Sequence, residues 1–335
     1  MTEHEAPLGH SPEQQERLSA DYSFVFCYHT TEFADQISTA LQDCDTVALE
    51  YLGFQSEAER QSWNEKLTTY VAGTATEQQD ADVQDELEKS AGGAYLGTIL
   101  EKLRGTNKKI VLLDIDEDNP NYGSVTDYWA ANRAYYGAVG NGSPVDEVKQ
   151  ASKAFIQAAV DSFPVREGAM AEQLKGLGRV PGKVGVVTGV IHTPILDKLS
   201  GIAETSSTVI GPDVKITNGV TTVEYDDLDV AIQQARANGM DSIDDTLLNR
   251  GILKDLIASY DVDLGDHNLR DLVNDLQPAE VNSLLQKIDE VRSAGSQYKA
   301  GFFRLMMTKN DIIDALQTVW PTIGENSKLT IRKVH

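Results

Sequence analysis

Four strand-length apolar runs alternate with stretches of helical periodicity, and that alternation restricts the chain to an α/β fold. The runs are YSFVFCY from Tyr22 to Tyr28, TVALEYL from Thr46 to Leu52, IVLLDID from Ile110 to Asp116, and KVGVVTGVIH from Lys183 to His192. Between the first two, Phe33, Ile37 and Leu41 share one face at helical spacing. Strand, helix and strand over about 30 residues form a βαβ unit, which implies a parallel pair with a right-handed crossover.

The rest of the chain is punctuated in the same way. Gly73 to Gly93 is rich in Gln, Asp and Glu and reads as a solvated loop or short exposed helix. Tyr95, Ile99, Leu100 and Leu103 mark a helix that ends near Gly105. Asp127 to Tyr136 and Val145 to Phe163 read as helices separated by the turn-like GAVGNGSP. Another helix is expected to start near Val165 and Arg166 and to carry Met170, Ala171 and Leu174. Short extended segments follow around Thr208 to Ile210, Val214 to Thr217 and Thr221 to Tyr225. Beyond Asp226 the pattern is helical. Val281, Leu284, Leu285, Ile288 and Val291 form one apolar stripe, with Pro278 near its start and Gly295 past its end. Ile312, Ile313, Leu316 and Val319 form another, stopped by Pro321. The expected organisation is a mobile tail over 1–20, an α/β core over 21–225 and a mostly helical C-terminal appendage over 226–335. The core sheet is expected to be mixed but largely parallel.

Charge narrows the function classes. The 335 residues carry 29 basic against 52 acidic side chains, a formal −23. Such a surface repels phosphate backbones and anionic lipid, which argues against nucleic-acid and membrane partners. The polar, acidic start of the chain lacks the pattern of a signal peptide, and no run of about 18 apolar residues suggests a membrane span. Two cysteines, Cys27 and Cys44, form neither a disulfide framework nor a CxxC site. A cytoplasmic location is expected on these grounds.

Candidate chemistry rests on a repeat. SFVFCYHTTEFADQI and VGVVTGVIHTPILDKL each run strand, His-Thr, helix, with His29 and His192 at equivalent places. His4, His10 and His335 lie near the two ends, and His267 lies in the helical region. Ligands of open α/β sheets bind at the carboxyl ends of strands, and neighbouring strands lie about 4.8 Å apart. Two imidazoles at such ends can therefore converge on one small ligand. Glu50 ends the second strand on the same edge. Asp114 and Asp116 end the third strand there too, if that strand is parallel. Nitrogen and oxygen donors in this mix suit Zn, Mn, Fe or Co better than Ca. A bound metal would acidify a water; without metal, a His beside a carboxylate can act as general base. Cys27, two residues before His29, reads as a buried structural thiol. Tyr128, Trp129, Tyr135 and Tyr136 read as core.

These segments resemble the TraB/GumN and Tiki group, which is related to erythromycin-esterase-like and ChaN-like proteins. The first family motif, roughly G-x-x-H, is matched by Phe26-Cys27-Tyr28-His29, and the following strand ends in Glu50. A later R-(D/N/E)-x-x-M-A motif resembles Arg166-Glu167-Gly168-Ala169-Met170-Ala171. The second G-x-x-H is intact as Gly189-Val190-Ile191-His192. The resemblance spans residues 22 to about 225. It implies an EreA/ChaN-like fold with two related α/β halves and a cleft between them. It also implies chemistry that varies by branch: metal-dependent peptidase activity, ester hydrolysis or haem binding. The first motif departs from the pattern, because Phe26 stands where the family has Gly. Either the backbone is remodelled there or activity is lost.

The sequence therefore points to a hydrolase of a peptide or ester bond in a small-molecule or peptide substrate. His29, Glu50, Asp116 and His192 are candidate ligands of a divalent metal (Mn, Co or Zn). His29, Glu50, His192, Arg166 and Glu167 are candidate catalytic residues, with Arg166 binding substrate or orienting Glu167. Gly189 is a candidate cofactor contact. The alternatives are a non-catalytic protein that sequesters haem or a peptide signal, and a regulatory partner that oligomerises through its C-terminal helices.

Overall fold

The computed structural model describes residues 17–89, 93–211, 214–217, 220–223, 227–260, 262, 269–295 and 302–320. Along the chain the elements begin with β1 (Ala20–Cys27), α1 (Ala34–Ala40), β2 (Thr46–Glu50), α2 (Glu57–Ala72), α3 (Glu77–Lys89), α4 (Gly93–Leu103) and β3 (Lys109–Leu113). They continue with α5 (Gly123–Gly140), α6 (Val145–Leu177), β4 (Gly182–Gly189), α7 (Ile195–Leu199) and β5 (Glu204–Ile210). The remainder is β6 (Val214–Thr217), β7 (Val220–Val223), α8 (Asp227–Asn238), α9 (Asp245–Ser259), α10 (Leu269–Asn274), α11 (Pro278–Gly295) and α12 (Phe302–Gln317). No described helix is long and apolar enough to cross a membrane.

Two compact units share these elements. One comprises residues 1–119 and 167–214, the other 120–166 and 215–335. This differs from the division expected at residue 225, because 120–166 group with the C-terminal region. The expected 1–20 tail lies mostly outside the described residues. Its last part is anchored, since Arg17 pairs with Glu204 at 2.5 Å and Ala20 already belongs to β1.

The first unit holds a five-stranded sheet ordered β3-β2-β4-β1-β5, parallel throughout. The third strand is thus parallel, as the sequence required for its acids to reach the same edge. β1 and β2 are not neighbours, however: β4 lies between them. Long-range pairing of this kind leaves no trace in a local βαβ pattern. It places the strands that precede His29 and His192 side by side, with Glu50 on the next strand over.

Both faces of the sheet are covered at β2, β3 and β4, which explains why these strands are apolar runs without alternation, whereas the edge strand β5 is polar and exposed as far as Thr208. On one face Val25, Cys27, Val47, Leu49, Ile110, Leu112 and Val187 pack with Ile37 of α1, Leu41 at its C-terminal cap, and Ile99 and Leu100 of α4. On the other, Tyr22, Phe24 and Phe26 follow one another, with the Phe24 and Phe26 rings stacked 5.6 Å apart. The Tyr22 hydroxyl there donates to Leu174 O of α6 at 2.6 Å. Gly185 lets α1 approach β4, since a Cβ at that position would lie 2.5 Å from Leu41 Cδ2 and 2.8 Å from Cys44 Sγ.

One helix expectation is narrowed to the helical alternative and one needs correction. The polar stretch after Gly73 contains a regular helix, α3, whose Val83 and Leu87 are buried at i, i+4 spacing. Two apolar residues four apart suffice to dock a helix that is otherwise charged. The helices expected on either side of Pro164 are one helix, α6, with that proline inside it. Pro costs a helix one hydrogen bond but does not always end it.

In the second unit, α5 and α11 are tied by Arg292, which donates to Ala138 O and Val139 O at the end of α5. Tyr135 donates to Asp255 at 2.6 Å, and its ring stacks on Phe155 at 5.7 Å. Lys254 and Asp227 form a buried pair at 2.6 Å. The expected stripe of α11 is buried at Val281, Leu284, Leu285 and Ile288. Trp129 and Tyr136 of α5 are exposed rather than core.

Candidate functional site

Glu50, His29 and His192 come from the carboxyl ends of three adjacent strands. β2 pairs with β4 only as far as Leu49 and Val187. Beyond that point the β4 backbone turns its Gly189 N–H onto Glu50 Oε2 at 2.8 Å, and Thr188 Oγ1 donates to the same oxygen at 2.6 Å. Two donors on one oxygen fix the carboxylate, whose side chain is only 7 % exposed.

His192 is presented by a 3-10 turn, Val190–His192, directly after β4. Its ring is 1 % exposed and lies between two carboxylates. Nδ1 is 3.3 Å from Glu167 Oε1, and Nε2 is 3.4 Å from Glu50 Oε1. A neutral imidazole has one N–H and one lone pair. With the proton on Nδ1 for Glu167, the Nε2 lone pair would face a carboxylate oxygen in a dry setting. A proton or a cation between Nε2 and Glu50 relieves that repulsion.

His29 follows β1 by two residues. Its Nε2 is 3.8 Å from Glu50 Oε2, and its side chain is 39 % exposed, so the rim is open on this side. The ring stacks on Tyr95 of α4, with centroids 4.9 Å apart and planes 21° apart. Tyr95 Oη lies 2.9 Å from Cys27 Sγ. Cys27 is buried, as the sequence suggested, and burial pushes its thiol up to about 12, aided by the nearby Glu50 charge.

Gly189 lies beneath the three donors. A Cβ there would be 3.6 Å from Glu50 Oε2, 3.7 Å from His29 Nε2 and 3.9 Å from His192 Cδ2. Atoms of both imidazoles and of the carboxylate thus lie within 4 Å of the position that a side chain at residue 189 would take. The two G-x-x-H-like segments do not superpose residue for residue, since Gly189 pairs with Cys27 and Phe26 pairs with Thr188. Phe26 is buried with its ring stacked on Phe24, on the sheet face it shares with its partner Thr188, and β1 keeps regular pairing on both sides through Cys27. The backbone of β1 is regular at that residue, and Cys27 rather than Phe26 stands level with Gly189, so Phe26 does not take the place that Gly189 has beneath the donors.

Two imidazole nitrogens and a carboxylate suit a first-row divalent ion. In a tetrahedral shell with bonds of about 2.0–2.1 Å, ligand atoms sit roughly 3.3 Å from one another. The 3.4 and 3.8 Å separations are near that value. Glu167 on Nδ1 of His192 is the outer partner a ligating histidine ordinarily has. Among the described residues, no three His, Cys, Asp or Glu side chains form a group that could hold a metal ion as they stand. The donors match in kind, and holding an ion requires them to move.

Asp116 is not brought to this cluster. Its carboxylate receives Arg60 Nε at 2.9 Å and Nη2 at 3.2 Å in a buried ion pair. The expectation of Asp116 as a metal ligand is therefore corrected: a bidentate guanidinium already uses the oxygens. Asp114 has φ 155°, unusual for a residue with a side chain, and Gln173 clamps its backbone from α6. Arg166 and Glu167 lie in the interior of α6 rather than at a helix start. Glu167 joins the cluster; Arg166 is buried and groups with the second unit.

Thr188 and Tyr95 escaped sequence reasoning. Thr188 gave a weak signal, a hydroxyl inside an otherwise apolar strand. Tyr95 gave none, because a Tyr on an apolar helix face looks like core. Two cavities, about 620 Å³ near Thr39, Asp45 and Lys108 and about 580 Å³ near Trp63, Thr69 and Val83, do not include the cluster. No protein-family model, curated protein or solved structure matches the chain.

Proposed function

We propose that the cluster is the reactive centre of a metal-assisted hydrolase acting on a peptide or ester bond of a small-molecule or peptide substrate. One observation carries the reading. His192 Nε2 and Glu50 Oε1 face each other at 3.4 Å while Glu167 occupies the other ring nitrogen. Such an arrangement suits a positive charge between the first two.

His29 Nε2, His192 Nε2 and Glu50 would hold the ion, with Mn, Co or Zn suited to the donors. When bound, the ion lowers the pKa of a water and polarises a carbonyl. Glu167 accepts the Nδ1 proton of His192 and so turns the Nε2 lone pair inward. Thr188 and Gly189 hold Glu50 Oε2 and keep Oε1 turned toward His192. Substrate enters on the half-exposed His29 side. Water adds to the carbonyl carbon, the C–N or C–O bond breaks, and the leaving group takes a proton.

A second reading rests on the same close pair, His192 Nε2 and Glu50 Oε1 at 3.4 Å. In that reading a proton stands between His192 and Glu50, and the pair works as acid and base without metal. The test is hydrolysis of p-nitrophenyl esters and fluorogenic peptides after dialysis against EDTA, with Mn, Co or Zn then restored. Turnover that returns with metal and is lost in Glu50→Gln supports the first reading. EDTA-insensitive turnover supports the second. No turnover with any metal on either substrate class overturns both.

A further inference from the structure

His29 is the least constrained member of the cluster. It lies beyond the end of β1, 39 % exposed, and 3.8 Å from Glu50, too far for a hydrogen bond to hold it. Its ring lies against Tyr95. The two rings stack at 4.9 Å and 21°. Tyr95 is itself buried in α4, and its Oη contacts Cys27 Sγ at 2.9 Å. Cys27 is the strand residue that pairs with Gly189, the glycine beneath the donors.

We infer that Tyr95 is a positioning residue that fixes the plane of the His29 imidazole and aims its Nε2 at the space above Gly189. The inference deepens the proposed function and rests on it only for the purpose of the aim, not for the contact itself. Stacking fixes the ring plane, and burial within α4 fixes the stacking partner, whose Oη also contacts β1 at Cys27 Sγ. A side chain held in this way loses little freedom when a ligand arrives, which raises affinity without an added contact. The phenol is buried and its ionisation is pushed above the ordinary range by desolvation, so it serves as a neutral platform.

Two measurements test the proposal on the full chain. The first is metal-free. The His29 Hε1 resonance, assigned by comparison with His29→Gln, is expected upfield of an unstacked histidine through the ring current of Tyr95. The upfield shift is expected to persist in Tyr95→Phe and to vanish in Tyr95→Leu. The second is calorimetric titration with Co²⁺ or Zn²⁺. Tyr95→Leu is expected to bind about 10- to 100-fold more weakly, the usual loss for a group that orients a ligand. Tyr95→Phe keeps the ring and is expected within about threefold of wild type.

An unshifted His29 resonance in the wild type overturns the proposal, even if Tyr95→Leu does not fold. So does a folded Tyr95→Leu that binds metal like the wild type. If the wild type binds no metal, the metal reading of the site fails, and the resonance alone decides whether Tyr95 sets the ring.

Discussion

The Gly189 N–H donates to Glu50 Oε2 at 2.8 Å, which turns the end of β4 into the clamp of the carboxylate that ends β2. Gly189 has φ −59° and ψ 146°, a conformation open to any residue. A methyl there would meet ordinary contacts of 3.6–3.9 Å with Glu50, His29 and His192. Gly189→Ala is therefore expected to change unfolding free energy by less than about 1 kcal/mol. It is expected to weaken metal binding at least about tenfold, because the methyl enters the space between the ligands. Urea unfolding and calorimetric titration check the two halves of this prediction.

Glu167 supports His192 without reaching the proposed ion. Glu167→Gln keeps the shape and an acceptor for Nδ1–H but removes the charge. Metal affinity is expected to fall about 10- to 100-fold with little change in the far-UV spectrum. An affinity equal to wild type would remove Glu167 from the site.

Asp116 answers to stability instead. Asp116→Asn leaves Arg60 buried against a neutral amide, a loss of about 3–5 kcal/mol in chemical unfolding. Metal affinity measured below the onset of unfolding is expected to match wild type. A drop in affinity without a drop in stability would restore Asp116 as a ligand.

Tyr22 gives a pH signature. Burial pushes its phenol from the usual value near 10 up to about 12. The folded state thus binds this proton more tightly than the unfolded state. Its contribution is complete below pH 10 and declines as pH rises from about 10 to about 12. At pH 8 the wild type is expected to exceed Tyr22→Phe by about 1 kcal/mol, through the bond to Leu174 O. That margin is expected to shrink at pH 11 in paired urea titrations.

Much of this site could be read from residue types at strand ends. His29, Glu50 and His192 each close an apolar run, and parallel strands deliver such residues to one rim whatever the strand order. The order itself was not legible: nothing local says that β4 inserts between β1 and β2. Asp116 looked equivalent to Glu50, because its partner Arg60 lies on another element and pairing is a property of the fold. Residues 120–166 carry a helical pattern that reads the same whichever unit they join. Tyr95 presents the same difficulty at the level of one side chain, since its ring is both core packing and the floor under His29.

The central claim concerns charge at one point between two imidazoles and a carboxylate. Its most direct test is the metal content of the wild type beside His29→Ala and His192→Ala, each purified without chelator and equilibrated with Mn²⁺, Co²⁺ or Zn²⁺. The account predicts stoichiometric metal in the wild type and its loss in both variants, with folding retained in all three. Equal trace metal in all three proteins would contradict it.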